Sequence, residues 1–242
     1  MRKRRSCREM HTFYTPDIHG NIHRLDKQES QHCINVLRLQ EGDRIFLVDG
    51  KGGYYKAKIK TGDQHKCTIE IISSKHQVGK KNFRLHIAIA PTKNISRFEW
   101  FLEKATEIGI DEITPLLCER SERKTIRNER LDKVIVSAMK QSVKAYKPKL
   151  NRITNFSEFV SIKKSSTKFI AWCDKKFNSE LKELVTKGDD ILILIGPEGD
   201  FSTEEIHQAT KNGFHSIQMG TSRLRTETAG IAACLTVNLV NQ

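Results

Sequence analysis

No apolar run in the 242 residues approaches the roughly 18 that a membrane-spanning helix needs, so no span is expected. Cysteine is sparse, and its six copies (Cys7, Cys33, Cys67, Cys118, Cys173, Cys234) are dispersed without a C-x-x-C pair. That argues against a disulfide framework or a zinc site and suits thiols in a reducing compartment. His19 and His23 stand at i,i+4, but Gly20 lies between them in a Pro/Gly-flanked loop. They lack the helix such ligation requires, so no metal is expected. The common nucleotide signatures are absent as well: there is no G-x-G-x-x-G after a strand and no Walker A lysine loop, which disfavours an ordinary dinucleotide or P-loop enzyme. Acid is the minority charge, 29 Asp and Glu against 42 Lys and Arg, for a formal +13. A surplus of that size points to a polyanionic partner, nucleic acid first.

The basic start Met1 to Glu9 (MRKRRSCRE) has no apolar segment behind it, so it cannot act as a secretory signal, and a cytoplasmic protein is expected. Translation can begin at Met1 or Met10. Removing those five basic residues and one acidic residue still leaves +9, so the surplus belongs to the folded body.

Two regimes of periodicity follow. From Thr12 to about Val78, short alternating runs (Arg44 to Val48, Tyr54 to Ile59, Cys67 to Ile72) are separated by turn clusters such as Asp49-Gly50-Lys51-Gly52-Gly53, the pattern of a small β-barrel. One helix, Gln28 to Leu37, interrupts it, with Asp26 and Glu29 as a capping box. Polar Gln77 to Asn82 is a linker, giving expected domains at 10–78 and 83–242. Beyond it, apolar strands (Arg84 to Ala90, Ile113 to Cys118, Lys168 to Cys173, Ile191 to Ile195, Ser216 to Met219) alternate with amphipathic helices, which predicts α/β architecture with a parallel sheet. Ser96 and Glu99 form a capping box for a helix whose Phe98, Phe101, Leu102, Ala105 and Ile108 share one face and which Gly109 stops. Leu131 to Lys144 and Thr203 to Asn212 are further helices. The last helix, Glu227 to Val240, is apolar on almost every side and must be enclosed, either as a core helix of the monomer or under a second subunit.

Strand Ile191 to Ile195 runs directly into Gly196-Pro197-Glu198-Gly199-Asp200-Phe201-Ser202, and Ser202 with Glu205 forms a capping box. A glycine loop at the carboxyl end of a buried strand and the start of a helix is where open α/β sheets bind ligands. A second strand-to-helix loop, Met219 to Ala229, sets Arg225 and Glu227 beside the start of the apolar helix. Helix-dipole compensation by Glu227, with a salt bridge to Arg225, is the structural alternative there.

Those two loops, G-P-E-G-D-F-S at 196–202 and L-R-T-E-T-A at 224–229, resemble the signature of the SPOUT methyltransferases, and among them the RsmE-type enzymes that methylate N3 of a uridine in 16S ribosomal RNA. Leu37-Arg38 with Gly42-Asp43, Lys104 to Gly109 before Ile113 to Leu116, and Gln141-Ser142 are similar to that family's other blocks, so the likeness spans nearly the whole chain. The resemblance implies an N-terminal PUA-like RNA-binding β-barrel, a C-terminal SPOUT α/β domain with a deep trefoil knot, S-adenosylmethionine as cofactor, no metal, and a homodimer through the C-terminal domain. It also implies that the cofactor is wrapped by Thr114, Pro115, Leu116 and Leu117 in one turn, by Ile195, Gly196, Pro197, Glu198 and Gly199, and by Met219, Gly220 and Leu224, with Thr226, Thr228 and Ala229 beside them. Three departures stand out: Asp200 replaces a usual glycine, Ser222-Arg223 replace Arg-Ile, and Val143-Lys144 replace Gly-Arg. Asp tolerates the left-handed conformation better than most residues, so the first is mild.

Uracil N3 carries a proton at neutral pH, with a pKa about two units above neutrality, so a site must remove it or stabilise the anion. Arg225 can stabilise charge on the uracil oxygens, and Glu227 can accept the proton or orient Arg225. Residues 120–152 carry eleven basic residues against three acidic, the densest cationic segment. Arg120, Lys124, Lys140, Lys144 and Lys147 are its candidate RNA contacts, with Arg38 in the barrel; a solvated helix face is the alternative. The rival functions are methylation of another RNA (transfer RNA or a ribose 2′-hydroxyl) and non-catalytic RNA binding.

Overall fold

In the computed structural model, residues 11–162, 166–172 and 179–242 are described. The basic Met1 to Glu9, Met10, Cys7 and Cys173 lie outside them. Two units result, residues 1–80 with 139–147, and residues 81–138 with 148–242. No helix among the described residues is long and apolar enough to cross a membrane.

Alternation builds the first unit. Strands β1 (Thr12–Tyr14), β2 (Ile22–Arg24), β3 (Arg44–Val48), β4 (Tyr54–Thr61) and β5 (Thr68–Lys75) form a half-barrel sheet in the order β1-β3-β4-β5-β2. Tyr55, Ala57 and Ile59 of β4 point inward with Phe13, Leu25, Cys33, Ile45, Leu47 and Ile69, while Lys56, Lys58 and Lys60 point out. Helix α1 (Lys27–Gln31) is followed by a π-helical turn, His32–Val36, in place of one regular helix to Leu37. Asp26 caps it by accepting from Glu29 N–H at 2.7 Å. Glu29 does not close the expected box; its buried carboxylate takes Lys140 Nζ at 2.6 Å.

The segment Met139–Lys147 therefore belongs to this unit although it follows the long basic helix in sequence. Met139 and Ala145 pack on Val48, Gly52 N–H donates to Ala145 C=O at 2.9 Å, and Lys147 N–H donates to Gly50 C=O at 2.9 Å. The turn closes through Val143 at φ +55, a left-handed conformation that a β-branched residue adopts at a cost and a glycine would not feel.

In the second unit the period is that of parallel β and covering α. Strand β6 (Leu85–Ile89) leads to helix α2 (Ile95–Ile108), β7 (Glu112–Leu117), α3 (Asn128–Gln141), β8 (Lys149–Leu150), β9 (Thr154–Asn155), α4 (Phe156–Ser161), β10 (Thr167–Ala171), α5 (Leu181–Leu184), β11 (Ile191–Ile195), α6 (Thr203–Lys211), β12 (His215–Ile217) and α7 (Thr226–Val240). The strands lie β12-β10-β11-β6-β7-β8, with β9 also against β7, and every pairing is parallel. Leu85, Ile87 and Ile89 face one core with α2 and α7, and Ala88, Leu192 and Leu194 face a second with α4 and α6. Both faces being covered explains the unbroken ILILI of β11.

Helix α2 is capped by Asn94, whose side chain accepts from Ser96 N–H at 3.1 Å, and not by the Ser96–Glu99 box; Glu99 instead holds Arg130 at 3.0 Å. Gly109 ends α2 at φ +125, as its position predicts. Helix α7 buries Gly230, Ala233, Cys234 and Val237, and leaves Leu235 and Leu239 exposed.

Two outcomes are expected in urea denaturation. Val143→Gly should raise stability by about 0.5–1 kcal/mol, the left-handed penalty less the glycine entropy cost. Lys140→Met should cost about 2–3 kcal/mol by stranding Glu29, and adding Glu29→Gln should recover most of it.

Candidate active site

Chain direction reverses between β11 and β6: from β6 the chain moves on to β7, while from β11 it crosses β10 to reach β12. The segments leaving the two carboxyl ends diverge there, at the switch point where open sheets form a crevice. Ala90 N–H donates to Ile195 C=O at 3.0 Å, holding the two strand ends in step. Glu198 Oε1 then accepts from Lys93 N–H at 3.0 Å, tying the glycine loop to the segment after β6.

The glycine loop is held from several sides. A Cβ on Gly196 would meet the Phe201 ring at 3.2 Å, so a side chain at this position would press on that ring. Asp200 adopts φ +63, a left-handed conformation that an aspartate tolerates better than most residues. Ser202 and Glu205 form the expected reciprocal capping box, with Ser202 N–H to Glu205 Oε2 at 2.9 Å and Glu205 N–H to Ser202 Oγ at 3.3 Å. The other oxygen of that buried carboxylate accepts from Glu119 N–H at 2.9 Å, anchoring the turn after β7 to the same helix start.

Arg120 and Arg123 also act here as structural clamps. Arg120 donates from one guanidinium nitrogen to Gly199 C=O at 3.0 Å and Phe201 C=O at 3.4 Å. Arg123 donates to Thr92 C=O at 3.0 Å and Lys93 C=O at 2.6 Å. Charge-assisted bonds of this kind are about twice as strong as neutral ones and keep two backbone loops from drifting.

The second loop joins the first through a buried contact: Thr226 Oγ1 donates to Gly196 C=O at 3.0 Å. One residue on, Glu227 is buried in the first turn of α7, where a carboxylate suits the helix dipole. Its Oε1 lies 3.9 Å from Arg97 Nε on α2, and its Oε2 is buried without a hydrogen-bond partner. Arg225, at the N-cap of α7, is exposed and its side chain makes no capping bond. Among the described residues no ion pair joins Arg225 to Glu227; the ionic partner of the carboxylate is Arg97, which sequence reasoning missed because 130 residues separate them.

The remaining candidates are placed as follows. Residues 114–117 are the last four of the six residues of strand β7 and not a turn. The hydroxyl of Thr114 is committed to His86 Nε2 at 2.8 Å and Asn151 Nδ2 at 2.7 Å, and Leu116 is in the core facing α4 and α6, with Pro115 buried and Leu117 half-buried. Ile195 and Pro197 are buried, Glu198 and Gly199 exposed. Met219 and Leu224 are half-buried, Gly220 is exposed at φ +94, and Thr228 and Ala229 lie exposed and half-buried on α7. Of the RNA candidates, Lys124 and Arg38 are exposed and Lys144 is half-buried. Arg120 and Lys140 are held by the protein contacts above, and Lys147 Nζ sits 5.7 Å over the Tyr14 ring. His23 Nε2 lies 2.8 Å from Thr15 Oγ1, and no group of three His, Cys, Asp or Glu fit to hold a metal occurs among the described residues.

The profile of RNA methyltransferase domains covers residues 79–238, and that of RNA methyltransferase PUA domains covers 25–72; the chain belongs to the RNA methyltransferase family. Within it, the chain is similar to a solved probable rRNA-methyltransferase from Porphyromonas gingivalis, 40% identical, with 96% of this chain and 98% of that one covered and a TM-score of 0.87. It is similar too to the ribosomal RNA small subunit methyltransferase E of Neisseria gonorrhoeae, solved bound to S-adenosyl methionine: 26% identity, the same coverages and a TM-score of 0.88. The protein of that name from Aquifex aeolicus is 26% identical over 92% of this chain and 96% of its own.

If Arg120 clamps the glycine loop, Arg120→Ala should speed amide exchange at residues 198–202 about tenfold and cost about 1–2 kcal/mol, while exchange in β6 is unchanged. Equal exchange in the loop would assign Arg120 to solvent or RNA.

Proposed function

We propose that this chain methylates N3 of a uridine in 16S ribosomal RNA, using S-adenosylmethionine, as a homodimer with a trefoil-knotted catalytic domain. The observation that carries the reading is Glu227: a buried carboxylate with one oxygen unpartnered, beside a clamped glycine loop, in a member of the RNA methyltransferase family. Unpartnered buried oxygens are costly and persist where a ligand completes them. The exposed Leu235 and Leu239 of α7 supply the apolar face on which a second subunit would close.

The residues fit the cofactor. No atom stands within 4 Å of where a Cβ on Gly220 would be, so bare backbone is presented there, in a loop that also carries half-buried Met219 and Leu224. Gly196 to Gly199, Gly220, Leu224 and Thr226 would hold it, and when bound it supplies an electrophilic methyl group on a sulfonium. In-line transfer then asks the chain for alignment and for a deprotonated N3. Glu227 Oε2 is the proton acceptor; its lack of an ion pair with Arg225 favours that role over orienting the arginine. Arg97 supplies the countercharge to the other oxygen. Exposed Arg225 is free to face the uracil oxygens and stabilise the negative charge that develops on them. Lys124, Lys144 and Arg38 contact RNA phosphates. The target base leaves any stack to enter, as base-modifying enzymes generally require.

Glu227→Gln and Arg225→Ala should each lower single-turnover methylation about 100-fold with cofactor binding retained by calorimetry. Raising the pH, which ionises N3 in solution, should partly restore Glu227→Gln and restore Arg225→Ala less. Equal restoration removes the base assignment. Mass spectrometry of ribosomal and transfer RNA from cells with and without the protein identifies the nucleotide, and a ribose or transfer-RNA product would overturn the N3 reading.

A further inference from the structure

Beside the start of α2 the second unit holds a cavity of about 310 Å³ that the chemistry above does not use. It is lined by apolar Ile95, Ile126 and Leu131 and by Arg123, Arg127 and Arg130, with no carboxylate among its lining residues. Three like charges around one space repel each other. Only one of them is neutralised, by Glu99, which accepts from Arg130 Nη2 at 3.0 Å. Arg123 commits Nε to Thr92 C=O at 3.0 Å and Nη2 to Lys93 C=O at 2.6 Å, both neutral acceptors, so its charge remains beside the cavity. Arg127 is exposed, and among the described residues nothing bonds its guanidinium. Stability does not account for this arrangement: α3 begins at Asn128, and cations at that end of a helix oppose its dipole.

The lining says what the cavity would take. A bare inorganic anion needs the arginines alone, whereas three aliphatic side chains call for a ligand that also has an apolar face. A nucleotide has both, a phosphate for a guanidinium and a base that stacks on guanidinium planes when it is splayed out of its own stack. The volume lies at the lower end of the range of about 300–1,000 Å³ that holds small ligands, room for one nucleotide. Its place in the fold ties it to the candidate active site. Segment 92–93, which Arg123 holds, is the segment that Glu198 of the glycine loop ties down through Lys93 N–H. Ile95 and Arg97 are two residues apart on α2 and so point about 200° apart. The helix start therefore divides the cavity from Glu227, which Arg97 meets at 3.9 Å. That divide is about 10 Å, one helix width, which one or two nucleotides of an extended strand bridge.

We propose that this cavity is a nucleotide pocket that takes a nucleotide flanking the target uridine, with Arg127 on its phosphate and its base against Ile95, Ile126 and the Arg123 plane, so that it selects which RNA segment reaches Glu227. The proposal rests on the RNA methyltransferase reading and deepens it from a diffuse cationic segment to one binding site. Its test uses the full-length protein with S-adenosylmethionine. Calorimetry with the four ribonucleoside 5′-monophosphates should show binding of at least one in the millimolar range, more than about tenfold tighter than inorganic phosphate. Arg127→Ala should abolish that binding, leave S-adenosylmethionine affinity unchanged, and raise KM for 16S ribosomal RNA about tenfold with a smaller change in kcat. Arg127→Lys keeps the charge and loses the planar fork, so it should recover only a minor part of the rise in KM. Full recovery by lysine means that charge alone acts there and overturns the pocket. Nucleotide binding with an unchanged KM in Arg127→Ala assigns the cavity to a free nucleotide and overturns the substrate role, as does a change of oligomeric state in that variant by sedimentation. No nucleotide binding and an unchanged KM, in a wild type that methylates ribosomal RNA, overturns the pocket alone. A wild type that methylates no RNA yet binds a mononucleotide through Arg127 overturns the enzyme reading and keeps the pocket's ligand chemistry.

Discussion

The close approach of α7 to the sheet at Gly230 is the contact on which the site's geometry depends. A Cβ there would stand 2.7 Å from the Phe101 ring on α2 and 2.9 Å from Ile89 at the end of β6, so any other residue would displace those side chains or the helix. Seated at that distance, α7 brings its first turn to the glycine loop, lets Thr226 reach Gly196, and buries Glu227 beside Arg97. Packing in cores is dense enough that a displacement at Gly230 is transmitted rather than absorbed. One missing methyl group thus sets the positions of the donor to the loop and of the carboxylate.

Around that contact the basic surplus divides into groups with different jobs. Arg120 and Arg123 donate to backbone carbonyls of the loops, Arg97 balances Glu227, and Lys140 balances Glu29. Each of these cations is already engaged by a protein carbonyl or carboxylate. Of the proposed RNA contacts, exposed Lys124, Arg38 and Arg127 and half-buried Lys144 are the ones outside these roles. Arginine dominates the clamps because its planar fork can engage two carbonyls from one side chain, which an ammonium does with less geometric control.

Long-period features were legible from residue order. The ILILI strand, the Ser202–Glu205 box, the Gly109 stop and the left-handed tolerance of Asp200 follow from local chemistry, and the structure bears them out. The half-barrel's alternation is equally local. What misled was the assignment of partners: Glu99 and Glu29 had the spacing for capping boxes, yet the cationic partner brought near by folding, Arg130 or Lys140, took each carboxylate. A carboxylate gains more from a guanidinium or ammonium than from a neutral amide, so tertiary proximity overrides the local motif.

The sequence by itself determined the two periodicities, the α/β class and the glycine loop with its strand and helix, because each depends on spacings within about ten residues. Only the tertiary structure decided that residues 114–117 are strand, that Arg120 holds a loop, that segment 139–147 joins the half-barrel unit, and that Glu227 faces Arg97 with one oxygen unpartnered. Those outcomes join residues from 26 to 130 positions apart, and which of many cations reaches a given carbonyl or carboxylate is settled by how helices seat on the sheet, a packing result that no local pattern encodes.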